Sequence, residues 1–302
     1  MKYGYIGLGN LGKHLAASLR RSGFEVVVND LDRDAAKSLL EAGCTWAASP
    51  RELAAQVDCV ITCLPSPAAS NTVLTGPDGV LQGLRRGGTW IEMSTTDERE
   101  IKRIAALAAD QGISTLECPV TGGVHLAAQG KITVLVGGEQ AVFEAHRPAL
   151  AAMGGQIFYM GELGKASVIK VITNMLAFIH LVACGEALML AKRGGLDLAQ
   201  AFHAIQASSG TSFVHETEGQ LVLNGSYDIN FTMDLACKDL GFAYEYGRKF
   251  GVPLELAGLT EQIFRRGRSQ YGSEAQSTQI VKLLEDALGT DLRAPGFPSK
   301  LS

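Results

Sequence analysis

The sequence has no long run of basic residues. Its 27 lysines and arginines are outnumbered by 31 acidic residues, and the formal net charge is -4. Nucleic acids are held chiefly by clustered cations that neutralise phosphates, so a nucleic-acid partner is excluded. The one short basic cluster, Arg265-Arg266-Gly267-Arg268, reads as a solvated helix end. Metal-ligand spacing is also missing. The six cysteines, Cys44, Cys59, Cys63, Cys118, Cys184 and Cys237, contain no CxxC pair, and none stands at zinc-ligand distance from a histidine. No metal site is expected, and reduced thiols point to a cytoplasmic protein. Scattered histidines, among them His14, His125, His180, His203 and His215, form no nucleophile–histidine–acid pattern. A secretory leader is not visible, because MKYGYIGLGN runs directly from a short strand into a glycine loop. The longest apolar stretch, near 168–191, carries Lys170, Asn174, His180 and Glu186. A lipid-facing helix would rarely hold all four, so no membrane span is expected and the stretch reads as one long buried helix. Internal repeats and low-complexity tracts are lacking.

What is present is apolar material in quantity. Hydrophobic residues make up 46% of 302 positions, enough for roughly two domains of about 150 residues. The first half alternates β-rich runs with amphipathic segments. Strands are expected at Lys2–Ile6, Glu25–Asn29, Cys59–Leu64, Thr89–Met93, Ser114–Glu117, Ile132–Val136 and Gln156–Met160. Helices are expected at Leu11–Ser22, Asp34–Ala42, Pro50–Gln56 and Asp97–Gln111. Such alternation predicts an α/β fold with a mostly parallel, doubly wound sheet. Beyond about Gly164 strand signals vanish and helical patterns cover 165–193, 197–207, 212–224, 232–250, 255–268 and 274–288. The tail RAPGFPSKLS has no periodicity and reads as a loose terminus. The expected organisation is an N-terminal Rossmann-type domain over 1–162 and an all-α domain over 163–302, joined by a long helix.

Gly7-Leu8-Gly9-Asn10-Leu11-Gly12 is a weak signal alone, but here it lies between a strand and a helix with a second strand following. Gly7 permits the tight turn, Gly9 lets the backbone approach a pyrophosphate, and Gly12 allows close helix–strand contact. Amide groups at the helix start then meet the phosphate charge. Asp30 ends the second strand, where a carboxylate accepts the ribose hydroxyls and repels a 2′-phosphate. NAD is therefore favoured over NADP, although Arg33 lies close by. Ligands on such sheets sit beyond the carboxyl ends of the strands, which brings in Leu64, Pro65 and Thr95. Ser94–Thr96 reads equally as a helix cap, with Thr96 and Arg99 framing the helix start.

Cys118-Pro119-Val120-Thr121-Gly122-Gly123 offers a hydroxyl and two glycine amides in a short turn. It suits a carboxylate, or is a simple Pro/Gly loop. Lys170 and Asn174 stand one helical turn apart on one face. A lysine in a partly dry cleft can exchange protons near neutrality. The alternatives are a lysine that snorkels to the surface and a buried, hydrogen-bonded asparagine. Lys238, in FTMDLACKDLGFAY, is a surface charge on local evidence.

Together these segments resemble the β-hydroxyacid dehydrogenase family, the group that contains 3-hydroxyisobutyrate dehydrogenase and is related to 6-phosphogluconate dehydrogenase. GYIGLGNLGKHLAASL is similar to its dinucleotide segment, CPVTGG to its substrate signature, GELGKASVIKVITN to its catalytic segment and CKDL to its C-terminal lysine motif. The resemblance implies hydride transfer between NAD and the hydroxyl carbon of a small 3-hydroxy acid. It implies that Lys170 is the general acid/base, that Asn174 positions substrate and lysine, and that Thr121, Gly122 and Gly123 hold the carboxylate. Lys238 would support cofactor and substrate, and the chain would form a homodimer or homotetramer. Two departures stand out: Thr121 replaces the usual serine, and Ala166 replaces a usual second glycine after Lys165. An aldehyde-acid reductase of the glyoxylate or succinic semialdehyde type is the second enzyme reading. An imine reductase of similar fold is disfavoured by the retained Lys170, and a non-catalytic NAD-binding redox sensor by the intact Lys170–Asn174 pair.

Overall fold

The computed structural model describes residues 1–301. It divides into two compact units, Met1–Lys170 and the residues from Val171 onward. A division after residue 162 would fall in the turn before the long helix. The contacts instead keep the first turns of that helix with the first unit, because the first unit's Glu117 grips them (below).

In chain order the first unit contains β1 (Lys2–Ile6), α1 (Gly12–Arg21), β2 (Glu25–Asn29), α2 (Lys37–Glu41), β3 (Thr45–Trp46) and α3 (Pro50–Ala54). Then come β4 (Cys59–Thr62), α4 (Pro67–Thr75), β5 (Thr89–Glu92), α5 (Glu98–Asp110), β6 (Ser114–Glu117) and β7 (Val120–Thr121). The unit continues with α6 (Val124–Ala128), β8 (Ile132–Gly138), α7 (Gln140–Met153) and β9 (Gly154–Gly161). The strands form one sheet in the order β3-β2-β1-β4-β5-β6-β8-β7, with β9 beside β8. From β3 to β6 every pairing is parallel; β8 runs antiparallel to β6 and β7 and parallel to β9. β4 and β5 are buried along their whole length, as apolar runs in a doubly covered parallel sheet must be. One face packs under Tyr5, Leu15, Leu19, Phe143 and Leu150. The other packs under Leu53, Leu74, Trp90, Ile101 and Ile104. Strand order reverses between β1 and β4, so the carboxyl ends of β2, β1, β4, β5 and β6 share one edge with a switch point in it.

The expected strands all form. β3 is too short to show a period, and β7 was expected as loop. The cap of α5 also differs from expectation. Asp97, not Thr96, accepts the Arg99 and Glu100 amides, since a carboxylate at the N-cap serves two orphan donors at once.

Beneath the sheet, His146 is buried between Tyr3 and Thr89: Nδ1 lies 3.2 Å from the Tyr3 hydroxyl and Nε2 3.0 Å from Thr89 Oγ1. Burial pulls its pKa down to about 4 from 6.5. A pKa depressed in the fold gives stability that is present above pH 6.5 and lost as pH falls toward 4. The loss should reach about 3 kcal/mol at most. Urea titrations across that range should show a steeper loss of stability for the native chain than for His146→Gln, and parallel curves would refute the assignment.

The second unit takes most of α8 (Lys165–Arg193), followed by α9 (Leu198–Gln206), α10 (Phe213–Asn224), α11 (Met233–Phe250), α12 (Glu255–Tyr271) and α13 (Lys282–Leu288). Its core joins Phe178, Leu181, Leu188, Phe202, Val222, Phe264 and Ile280. α8 is not buried all round as expected. Phe178, Leu181, Cys184 and Leu188 form its buried stripe, while Ile172, Leu176 and Leu190 are exposed. The stripe repeats every three or four residues, so one face packs and the other does not. By length and composition alone α8 could cross a membrane. Part of the tail expected to be loose is held: Ala294 N donates to Leu223 O at 3.0 Å, and Phe297 meets Phe202 edge-on at 4.9 Å.

Candidate active site

The glycine loop follows β1. Gly7 has φ +96°, donates its N–H to Asn29 O at 3.1 Å, and would place a Cβ 2.2 Å from Cys63 O. Gly9 is exposed and a Cβ there meets nothing within 4 Å, which leaves open room for a ligand. Gly12 lies close to the strand, as expected, and is tighter still within the loop. Its Cβ would sit 2.0 Å from Gly7 O, within the loop itself, and 3.3 Å from the Tyr5 ring of the strand. No side chain caps α1 and no acid occupies its first turn, so the positive end of the helix is left for an anion. Leu8 is buried, Asn10 exposed and Leu11 half-buried.

Asp30, half-buried, already serves the protein. Its Oδ2 accepts the Leu8 amide at 2.6 Å and Oδ1 the Asp32 amide at 2.9 Å. It thus fastens the glycine loop to the end of β2, a role invisible in the sequence. Each carboxylate oxygen keeps further acceptor capacity for a ribose.

At the ends of β4 and β5, the Leu64 amide donates to Ser94 Oγ at 2.7 Å. Ser94 Oγ and N in turn donate to Glu92 Oε1 at 2.5 and 2.9 Å. Glu92 is fully buried, and that burial raises its pKa against the pull of its hydroxyl and amide donors. This relay sets the Leu64-Pro65 loop, with Pro65 exposed and Thr95 half-buried beside it.

Thr121 pairs with Thr133 across β7 and β8. Gly122 and Gly123 follow with φ +121° and +91°, a backbone that L side chains rarely adopt. Glu117, four residues before Thr121, is fully buried. Its carboxylate accepts the amides of Gly164 at 2.5 Å, Ala166 at 2.8 Å and Ser167 at 3.2 Å, and the Ser167 hydroxyl. It is the cap of α8, and Lys170 lies one turn beyond it, 7% exposed.

In the second unit, Asp239 on α11 is 1% exposed and joins two expected residues. It accepts Asn174 Nδ2 at 2.6 Å and Lys238 Nζ at 2.8 Å. Lys238 also lies 5.1 Å from the centre of the Phe242 ring. Sequence reasoning missed the roles of Glu92, Glu117 and Asp239, and placed Ser94 only at a strand end or helix cap. The only signal for the three was an acid beside each motif, at the strand ends and inside CKDL.

The site residues of the first unit therefore gather on one sheet edge, and those of the second around Asp239. The loop fits a dinucleotide: open above Gly9, closed beneath Gly7 and Gly12, with an uncapped helix end and a carboxylate at the end of β2. Residues 2–161 match the family described as the NAD binding domain of 6-phosphogluconate dehydrogenase. Residues 164–284 match the family described as NAD-binding of NADP-dependent 3-hydroxyisobutyrate dehydrogenase. The chain is 32% identical to 2-(hydroxymethyl)glutarate dehydrogenase of Eubacterium barkeri, over 97% of each protein. It is also 32% identical to mitochondrial 3-hydroxyisobutyrate dehydrogenase of Mus musculus, over 94% of this chain and 87% of the relative. The crystal structure of 3-hydroxyisobutyrate dehydrogenase from Salmonella typhimurium is similar with a TM-score of 0.86 at 31% identity, over 94% of this chain and 99% of that one. The protein is an NAD(P)-linked oxidoreductase with a Rossmann domain followed by a helical domain. It belongs to the β-hydroxyacid dehydrogenase family.

Proposed function

We propose that this chain transfers a hydride between NAD and the hydroxyl-bearing carbon of a small 3-hydroxy acid, with Lys170 as general acid/base. The observation that carries the reading is the placement of Lys170, 7% exposed and one helical turn beyond the Glu117 carboxylate that holds the start of α8, with Thr121-Gly122-Gly123 beginning four residues after that same acid. When bound, NAD supplies the hydride acceptor; Gly7, Leu8, Gly9, Asn10, Leu11 and Gly12 would hold its phosphates, and Asp30 its ribose. Leu64, Pro65 and Thr95 border the same edge. Lys170 takes the hydroxyl proton during oxidation and returns it during reduction. Thr121 Oγ1 and the amides of Gly122 and Gly123 hold the carboxylate. Asn174 orients the substrate hydroxyl and is itself held by Asp239. Lys238 supports cofactor and substrate, with its charge balanced by the same acid. The relatives' names, a hydroxymethylglutarate and a hydroxyisobutyrate dehydrogenase, support the hydroxy-acid class. The six free thiols fit a cytoplasmic protein. The exposed apolar face of α8, with Ile172, Leu176 and Leu190, supports assembly into a homodimer or homotetramer. A panel of small 3-hydroxy acids with NAD, followed by NADH absorbance, tests the activity. Cofactor binding without turnover on any of them would favour a redox sensor, and turnover only from aldehyde acids a reductase.

The choice of NAD over NADP rests on Asp30. A 2′-phosphate there would face its carboxylate, and the nearby Arg33 lies over the Trp46 ring at 5.8 Å. The native chain should show kcat/KM at least about tenfold higher with NAD, and Asp30→Ser should narrow that ratio by about tenfold. Higher kcat/KM with NADP in the native chain would overturn the choice.

A further inference from the structure

We propose that Glu117 is a positioning residue for Lys170: its carboxylate ties the first turn of α8 to the end of β6 and so sets where the lysine stands relative to Thr121-Gly122-Gly123. This inference rests on the reading of Lys170 as the proton carrier.

Glu117 ends β6 and is fully buried. Four donors converge on its two oxygens, and all come from the residues that start α8. Gly164, the first of them, turns the chain with φ +99°. Ala166 and Ser167 are themselves buried, so the helix start has no water to replace the carboxylate. A negative charge at that end also complements the helix dipole.

The sheet is cut to make room for this side chain. Glu117 stands directly opposite Gly137 in the β6–β8 register. A Cβ on Gly137 would lie 2.3 Å from Glu117 Oε1 and 3.0 Å from its carboxyl carbon. A glycine at this buried strand position forgoes packing, and what it admits is the carboxylate. One group thus holds two short leads. Cys118-Pro119-Val120 runs from Glu117 to Thr121, and one helical turn runs from Ser167 to Lys170. A shift of the carboxylate moves the helix start against the substrate turn. A misplacement of about 1 Å at reacting groups can cost roughly 100-fold in rate.

The test uses the full chain and three variants. Glu117→Gln keeps the shape but turns an amide NH2 toward N–H donors. Gly137→Ala leaves Glu117 chemically intact and displaces it. Ser167→Ala removes one donor. For each, kcat, KM, the pH dependence of kcat and the Kd for NADH are measured alongside Lys170→Ala. The expectation is that Glu117→Gln and Gly137→Ala lower kcat by roughly 10–100-fold and displace the pH profile. The NADH Kd should stay within about twofold, because the glycine loop is not held by Glu117, and Ser167→Ala should move the same quantities less. Should Glu117→Gln fail to fold, Gly137→Ala and Ser167→Ala carry the test. Unchanged kcat and pH profile with only a lower melting temperature would reduce Glu117 to a structural cap and overturn the proposal. An equal loss of NADH affinity would overturn it too. If Lys170→Ala is inactive and the other variants are normal, this inference alone falls; if Lys170→Ala turns over normally, the reading of Lys170 falls and takes the inference with it.

Discussion

Replacing Lys170 by alanine should lower turnover by about 100-fold or more while the protein stays folded and still binds NADH. Two physical points set this expectation. The side chain is 7% exposed, so bulk water has little access to stand in as the proton carrier. It also lies outside the glycine loop and the Asp30 contacts that fasten it, so cofactor affinity should be nearly unchanged. Alanine favours helix, and the melting temperature of the variant is compared with that of the native chain. Steady-state turnover with NADH fluorescence titration on the same sample separates the effects. Near-normal turnover would remove Lys170 from the chemistry, whereas a loss of both turnover and NADH binding would mean that the substitution had disturbed the sheet edge.

The second large effect is expected at Gly12. An alanine there would put its Cβ 2.0 Å from Gly7 O, a backbone atom that cannot swing aside. Gly7 is itself pinned by its bond to Asn29 O. The loop must therefore deform, at about 1–3 kcal/mol, and NADH affinity should fall by roughly 10–100-fold together with the melting temperature. Gly9→Ala provides the contrast, since nothing lies within 4 Å of its Cβ. It should melt like the native chain yet bind NADH more weakly, because the methyl occupies space that the pyrophosphate needs. Equal melting temperatures and equal affinities across the native chain and both variants would refute the placement of the phosphates.

Much of this was legible along the chain because its signals are local. The glycine loop, its flanking strands and Asp30 fall within about thirty residues, the span of one βαβ unit. Lys170 and Asn174 announce themselves as polar residues in an apolar helix. The supporting acids did not show, because their partners are remote. Glu117 binds groups 47 to 50 residues away, and Asp239 reaches Asn174 across 65. An isolated acid next to a motif looks like any surface carboxylate until the fold places donors around it. The tail misled in the opposite direction: its sequence suggested a loose terminus, but Ala294 bonds to Leu223 of α10 and Phe297 packs on Phe202 of α9. The outer face of α8 was unreadable because apolar residues lie all round that helix, and only packing separates buried Phe178 from exposed Leu176.

The most direct test of the central claim is to supply NAD and a panel of small 3-hydroxy acids deuterated at the hydroxyl-bearing carbon, and to weigh the reduced cofactor by mass spectrometry. Direct hydride transfer at this site predicts that one of the acids yields reduced cofactor carrying a single deuterium, and that Lys170→Ala yields almost none in the same time. Cofactor that binds but stays oxidised with every acid, or that becomes reduced without deuterium, would contradict it.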